Sequence, residues 1–204
     1  MRFIIGFGTG RCGSNSFSAL MGAQKGAVGV HELQALPWSP DYRQYTNLLT
    51  RLEGFKQDIA CDAGFYWLNY VEKAIYDFPD VKCVCLKRDR KDFIEALMRY
   101  SYGPDGVNFW TKPDSEYWDD NRCFSGSWPQ YDMPKEMAIK RYWEDYLLRV
   151  LCLERQYPDN IKIFPGFDVL NLSEVQGEMF DFIGIKDPVM MQGIRGEEKV
   201  NHGG

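Results

Sequence analysis

Residues that can bind an anion are concentrated in one glycine-rich stretch near the beginning of the chain. Gly8, Gly10 and Gly13 interrupt and follow a short apolar run, Arg11 lies among them, and the polar residues 14–16 come next. A strand, a tight turn and a helix in this order direct backbone N–H groups and the positive end of the helix dipole at one point. The stretch therefore predicts a site for a phosphate-like group.

The elements that must position this stretch alternate between strands and helices. Short apolar runs predict strands at 3–7, 27–30, 58–61, 81–86 and 161–164. Apolar spacing and turn residues predict helices at 42–54, 64–78, from Asp89 on, from Pro134 on, and from a Ser173–Gln176 capping box to Gly184. This alternation predicts a single α/β domain over residues 1–204, with a mostly parallel sheet of about five strands flanked by helices.

Charged side chains follow the other predicted strands. His31 and Glu32 come after the second strand, Asp62 ends the third, and Arg88 follows the fourth. Because ligands of parallel sheets bind beyond the carboxyl ends of the strands, we expect these side chains to converge with Arg11 on one crevice. Asp62 has two interpretations, either orienting a substrate or capping the helix that follows it.

Composition limits the classes of function. The formal net charge of −5 argues against a nucleic-acid surface, and two histidines and six cysteines without C-x-x-C spacing predict no metal site. We expect reduced thiols and a cytoplasmic protein, without a signal peptide or membrane span. Residues 102–133 lose all periodicity and are rich in aromatic side chains, which predicts an ordered lid over the substrate.

Two familiar phosphate motifs fit the glycine stretch only in part. A Walker A loop requires lysine where this chain has Ser14, which weakens a kinase or NTPase interpretation. A nucleotide-binding module without catalysis is a further alternative to an enzyme. A dinucleotide fingerprint fits Gly8, Gly10 and Gly13, and Glu32 lies 19 residues beyond Gly13. Against an oxidoreductase stands Arg11, a bulky cation inside a turn that this fingerprint uses for close backbone approach.

A third pattern covers more of the chain. Residues 10–16 resemble the 5′-phosphosulfate loop of the sulfotransferase family, and residues 84–92 resemble that family's 3′-phosphate segment, in which a strand delivers an arginine into a helix. The helix around 142–143 and residues 164–170 and 180–185 are similar to the family's carboxyl-terminal half. These motifs occur in family order and cover most of the chain outside 102–133.

The resemblance implies the cofactor 3′-phosphoadenosine 5′-phosphosulfate (PAPS) and a hydroxyl or amine acceptor on a small molecule or carbohydrate. It implies that Arg88 binds the 3′-phosphate, and it assigns the 5′-phosphosulfate to Arg11, Cys12, Gly13, Ser14, Asn15 and Ser16. Lys199 and Asn201 resemble the family's final cofactor loop. The family's serine eight positions after the arginine is replaced by Ala96. Either Ser101 or a residue of the tail substitutes for it, or the 3′-phosphate is held less tightly.

The expected chemistry requires two catalytic roles, for which three residues are candidates. Arg11 would stabilise the charge that develops on the leaving phosphate oxygen. Glu32 is the candidate base for the acceptor, because it lies at a strand end and some family members use a glutamate in a comparable place. His31 is the alternative base, since cytosolic members use a histidine and its ordinary pKa suits proton transfer.

Overall fold

A five-stranded, entirely parallel sheet forms the centre of the protein, whose computed structural model describes residues 1–100, 128–129 and 131–193. The strands are β1 (Arg2–Phe7), β2 (Ala27–His31), β3 (Ile59–Ala63), β4 (Lys82–Lys87) and β5 (Ile161–Pro165). Their spatial order is β2-β3-β1-β4-β5, and every neighbouring pair is parallel. The predicted fold class is confirmed.

Helices cover both faces of this sheet. In chain order they are α1 (Ser14–Gly22), α2 (Tyr42–Glu53), a 3-10 helix (Phe65–Asn69), α3 (Val71–Asp77), α4 (Arg90–Tyr100), α5 (Lys135–Gln156), α6 (Gly166–Asn171) and α7 (Ser173–Ile183). None of the helices in the described ranges is long and apolar enough to cross a bilayer.

The central strand β1 is buried on both faces, as its continuous apolar sequence predicts. Phe3, Ile5 and Phe7 pack into the core on the side of α2, α3 and α5, whereas Ile4 packs into the core beneath α1 and α7. All four side chains are at most 4% exposed. The glycine stretch therefore extends from the buried central strand of the sheet.

Helix α1 packs unusually close to β2. A Cβ atom on Gly29 would lie 1.9 Å from the carbonyl oxygen of Ser18, so only glycine permits this contact. The chain passes from β1 through α1 to β2 on one side, while β4 lies on the other side of β1. The carboxyl ends of β1 and β4 consequently flank the switch point at which such sheets bind ligands.

Local details differ from the sequence predictions where side chains have tertiary partners. The predicted helix at 64–78 is divided into the 3-10 helix and α3, and Asp62 lies inside β3 rather than after it. The capping box is wrong, because Leu172 occupies the N-cap position and the Gln176 side chain bonds to the backbone of Met191. Helix α6 follows β5 directly, at a place where the sequence patterns predicted no helix.

Two helix starts follow the prediction. Asp89 precedes α4, and its carboxylate accepts the N–H groups of Lys91 at 2.8 Å and Asp92 at 3.2 Å. Pro134 immediately precedes α5. Most of the predicted lid at 102–133 lies outside the described residues.

Candidate functional site

A cleft of about 410 Å³ lies beyond the carboxyl ends of β1 and β4. It brings together most of the predicted site residues with a group of apolar side chains. The lining consists of Gly10, Arg11, Gly13, Ser14, Asn15, Ser16, His31, Glu32, Phe65, Arg88, Leu97, Tyr100 and Trp128. Its volume lies within the ordinary range for small-molecule and cofactor sites.

The glycine stretch forms a tight turn that ends on the N-terminus of α1. Gly10, Arg11 and Gly13 have φ angles of 79°, 51° and 96°, all in the left-handed region. Gly13 occupies the N-cap position, and a Cβ atom there would lie 2.5 Å from Leu170 Cδ1. The turn therefore requires glycine at position 13, and it aims the positive end of the α1 dipole into the cleft.

Arg11 provides a cation at the mouth of this turn. The residue is exposed, and its Cζ atom lies 5.2 Å from the ring centroid of Tyr100 at the end of α4. This cation–π contact orients the guanidinium without neutralising it. Arg11 therefore keeps its charge for an anion in the cleft.

Arg88 connects β4 to the same turn. Its guanidinium Nη1 donates a hydrogen bond to the carbonyl oxygen of Arg11, and its own carbonyl accepts one from Trp143 Nε1 at 3.3 Å. A guanidinium has five N–H donors, so the bond to Arg11 leaves others for a ligand. Two arginines from separate strand ends thus line one cleft.

His31 lies against Ser14, the first residue of α1. Its Nε2 atom lies 2.9 Å from Ser14 Oγ, within hydrogen-bond distance. Partial burial, followed by the charge of Arg11, lowers the pKa of His31 below its ordinary value of 6.5. The imidazole is therefore neutral at pH 7 and a weak base.

Glu32 is the carboxylic acid among the described residues that line the cleft. Its φ angle of 51° is rare for a residue with a side chain, and its N–H group donates to the carbonyl of Ala63 at 3.0 Å. Burial and the negative charge of Asp62 raise the pKa of Glu32 from 4.5 to about 8, against the opposing effect of Arg11. Glu32 is therefore protonated at neutral pH and ionises just above it.

Two predicted site residues lie behind the cleft instead of lining it. Asp62 is fully buried, and its carboxylate accepts hydrogen bonds from Leu33 N, Tyr66 Oη and Trp67 Nε1. It is not a helix cap, since Gly64 holds that position for the 3-10 helix. The Cys12 side chain is buried in the core beneath the turn, and burial raises the pKa of its thiol to about 11.

Of the remaining positions considered for cofactor binding, the structure describes only Ala96. Lys199, Asn201 and Ser101 lie outside the described residues. Ala96 is 9% exposed, and α4 contributes Leu97 and Tyr100 to the cleft instead. No hydroxyl from position 96 is therefore available to a ligand.

An aromatic wall, formed by Phe65 and Trp128, closes one side of the cleft. Their rings stack with centroids 4.2 Å apart and planes 17° apart, and the edge of Trp128 approaches Gly10. The sequence signalled only an excess of aromatic residues in 102–133. Nothing local could link Trp128 to Phe65, which is far away in the chain.

Comparison with known proteins identifies the fold but not a sequence family. No protein-family model matches the chain, and no curated protein matches it in sequence. Three solved structures that it resembles are a sulfotransferase domain from the curacin biosynthetic pathway, a sulfotransferase from Alicyclobacillus acidocaldarius, and mouse sulfotransferase SULT7A1 complexed with PAP, where PAP denotes 3′-phosphoadenosine 5′-phosphate.

The three likenesses extend over nearly the whole chain at low identity. For the curacin domain the TM-score is 0.58 at 13% identity, covering 91% of this chain and 74% of that one. For the Alicyclobacillus sulfotransferase the TM-score is 0.58 at 14% identity, covering 98% of this chain and 87% of that one. For SULT7A1 the TM-score is 0.54 at 12% identity, covering 92% of this chain and 61% of that one. The chain has a sulfotransferase-like fold.

Proposed function

We propose that this protein transfers a sulfuryl group from PAPS to a hydroxyl or amine of an acceptor molecule. The observation that carries the proposal is the convergence of Arg11, Arg88 and the N-terminus of α1 on one cleft, with Glu32 at its edge. The sulfotransferase-like fold supports this interpretation, and the mouse neighbour of this fold was solved with PAP.

The residues of the cleft fit a nucleotide that carries a charged group at each end. Arg11 and the first turn of α1 would hold the 5′-phosphosulfate through Gly13, Ser14, Asn15 and Ser16, with Cys12 contributing its backbone alone. Arg88, at the adjacent strand end, would bind the 3′-phosphate. Since Glu32 is neutral at pH 7, no ionised carboxylate among the described lining residues opposes the anion.

The chemistry divides between the cofactor and the protein. PAPS supplies a sulfuryl group bonded to a good leaving group, the 5′-phosphate oxygen of PAP. Arg11 would stabilise negative charge on this oxygen. Ionised Glu32 would accept the proton that the acceptor hydroxyl or amine loses, and the products would be a sulfate ester or sulfamate and PAP.

The fold weighs against the dinucleotide interpretation of the glycine stretch. The common dinucleotide-binding sheet places its second strand beside the first, so that an acid at its end reaches the ribose. Here β3 lies between β1 and β2, and His31 at the end of β2 contacts Ser14. The spacing from Gly13 to Glu32 therefore does not have the structural context of the fingerprint.

Two broader properties accompany the proposal. The chain would act as one domain over residues 1–204, on a small-molecule or carbohydrate acceptor held against the aromatic wall. The cysteines within the described ranges are all unpaired thiols: Cys12, Cys61, Cys83, Cys85 and Cys152. That state suits a reducing, cytoplasmic location.

The cofactor assignment is tested by thermal unfolding with three nucleotides. Because PAP carries both phosphate groups that Arg11 and Arg88 would bind, we expect it to raise the Tm clearly more than ATP or NAD at equal concentration. Differential scanning fluorimetry at low salt measures the shifts. Equal shifts for the three nucleotides would contradict the assignment.

A further inference from the structure

Asp62 is a fully buried carboxylate that the proposed reaction does not use directly. One oxygen, Oδ1, accepts the backbone N–H of Leu33 at 3.2 Å. The other, Oδ2, accepts Trp67 Nε1 at 2.7 Å and Tyr66 Oη at 2.8 Å. A buried charge is tolerated when several donors surround it, so this site is built to hold an ionised carboxylate.

The hydrogen bond from the Leu33 N–H to Asp62 fixes the backbone immediately after Glu32. On the near side, the N–H of Glu32 itself donates to the carbonyl of Ala63, the residue after Asp62. Glu32 is thus held on both sides by neighbouring residues of β3, in the left-handed conformation that its side chain disfavours. This conformation places the Glu32 side chain in the cleft lining.

We propose that Asp62 is a positioning residue for Glu32, which it holds in the cleft through the Leu33 amide. The proposal rests on the proposed function, in which Glu32 is the base. Asp62 itself touches neither the cleft nor a substrate. Its effect passes through the backbone of residues 32–33 and through the electrostatic field at Glu32.

The charges around Glu32 favour a positioning role for the Asp62 carboxylate and a base role for the Glu32 carboxyl. Burial raises the pKa of Asp62 to about 6, while its three donors limit that rise, so Asp62 ionises before Glu32. Once Asp62 is ionised, removing a proton from Glu32 places a second negative charge beside the first. The other titratable or charged groups facing Glu32 are Arg11, His31, Tyr66 and Tyr142.

The test is an NMR titration of the Glu32 side-chain carboxyl carbon, assigned with Glu32→Gln, in the full-length protein with and without the substitution Asp62→Asn. Asparagine keeps the shape, and its oxygen can still accept the Leu33 amide, but it removes the charge. Its NH2 group replaces Oδ2 and no longer accepts the Trp67 and Tyr66 donors. We expect the midpoint of the Glu32 titration to fall by about one pH unit or more. An unchanged midpoint in a folded variant would overturn the proposal.

Asp77→Asn is the matched control. Asp77 also accepts a tyrosine hydroxyl, from Tyr45 at 3.0 Å, and pairs with Lys73, but it lies outside the cleft lining. Its replacement should leave the Glu32 midpoint in place. An equal fall in both variants would mean that general loosening, rather than the charge of Asp62, moves the titration, and would also overturn the proposal.

A second measurement uses the wild-type protein, so it tests the proposal even if Asp62→Asn fails to fold. If Asp62 holds the Leu33 amide, the chemical shift of that amide proton should change with the ionisation of Asp62, at a midpoint near pH 6. A Leu33 amide with no such step would overturn the proposal. Neither NMR titration requires turnover, so failure of the sulfuryl-transfer proposal would be recognised separately, by the nucleotide shifts above.

The kinetic consequence separates positioning from a merely structural role. In Asp62→Asn the rise of kcat with pH should move to lower pH together with the Glu32 midpoint. KM for PAPS, measured at pH 9 where Glu32 is ionised in both proteins, should stay within about twofold of the wild-type value. A purely structural defect would lower kcat at every pH without moving the profile. That second pattern would contradict the proposal.

Discussion

Replacing Arg11 with alanine is expected to abolish the Tm increase caused by PAP and to lower kcat/KM for PAPS by about 10²–10³-fold. Arg11 is the exposed cation at the mouth of the glycine turn, and its contact with Tyr100 leaves the guanidinium charged. The bond from Arg88 goes to the Arg11 carbonyl, which alanine retains, so the turn itself should survive. Circular dichroism and thermal unfolding without nucleotide check that the fold is intact.

Two further variants sharpen this result. Arg99→Ala removes an exposed arginine of α4 that does not line the cleft, and it should leave the PAP shift unchanged. Arg11→Lys keeps the charge but loses the planar fork, so it should recover only part of the affinity. If Arg11→Ala bound PAP as well as the wild type, the glycine turn would not be the phosphosulfate site.

Replacing Glu32 with glutamine is expected to lower kcat by about 10²–10⁴-fold, the usual range for removing a general base. Transfer of a radiolabelled sulfuryl group from PAPS to a set of phenols, sugars and amines measures this. Glu95→Gln, on the exposed face of α4, is the matched control and should retain wild-type turnover. Unchanged turnover in Glu32→Gln would exclude Glu32 as the base.

The same residue predicts opposite pH dependences for turnover and for nucleotide binding. Because Glu32 must be ionised to accept a proton and its pKa is raised to about 8, wild-type kcat should rise with pH and level off above that value. Ionised Glu32 repels the anionic nucleotide, so wild-type affinity for PAP should fall over the same range. Glu32→Gln should bind PAP like the wild type at pH 6 and more tightly at pH 9, as calorimetry can measure.

Much of the fold could be predicted because its strands are short, continuous apolar runs bounded by charge. The glycine turn could also be predicted from the sequence. Gly10 and Gly13 have left-handed φ angles, which glycine adopts readily, so their presence indicates a turn. Errors arose where a side chain has a distant partner. Gln176 looked like half of a capping box, but its amide bonds to the backbone of Met191 instead.

The charged side chains of the site could be predicted from the sequence, but their spatial arrangement could not. The strand order β2-β3-β1-β4-β5 cannot be read from local patterns, and it is this order that brings Glu32 and Arg88 to one cleft and weighs against the dinucleotide interpretation. His31 and Asp62 have residue types that suit catalysis or substrate binding. Only tertiary contacts reveal that His31 meets Ser14 and that Asp62 faces Leu33, Tyr66 and Trp67.

The most direct test of the central claim is a crystal structure of the protein with PAP. The account predicts the 5′-phosphate on the N-terminus of α1 within hydrogen-bond distance of Arg11, and the 3′-phosphate on the guanidinium of Arg88. PAP bound with its 3′-phosphate away from Arg88, or with its 5′-phosphate outside the glycine turn, would contradict it.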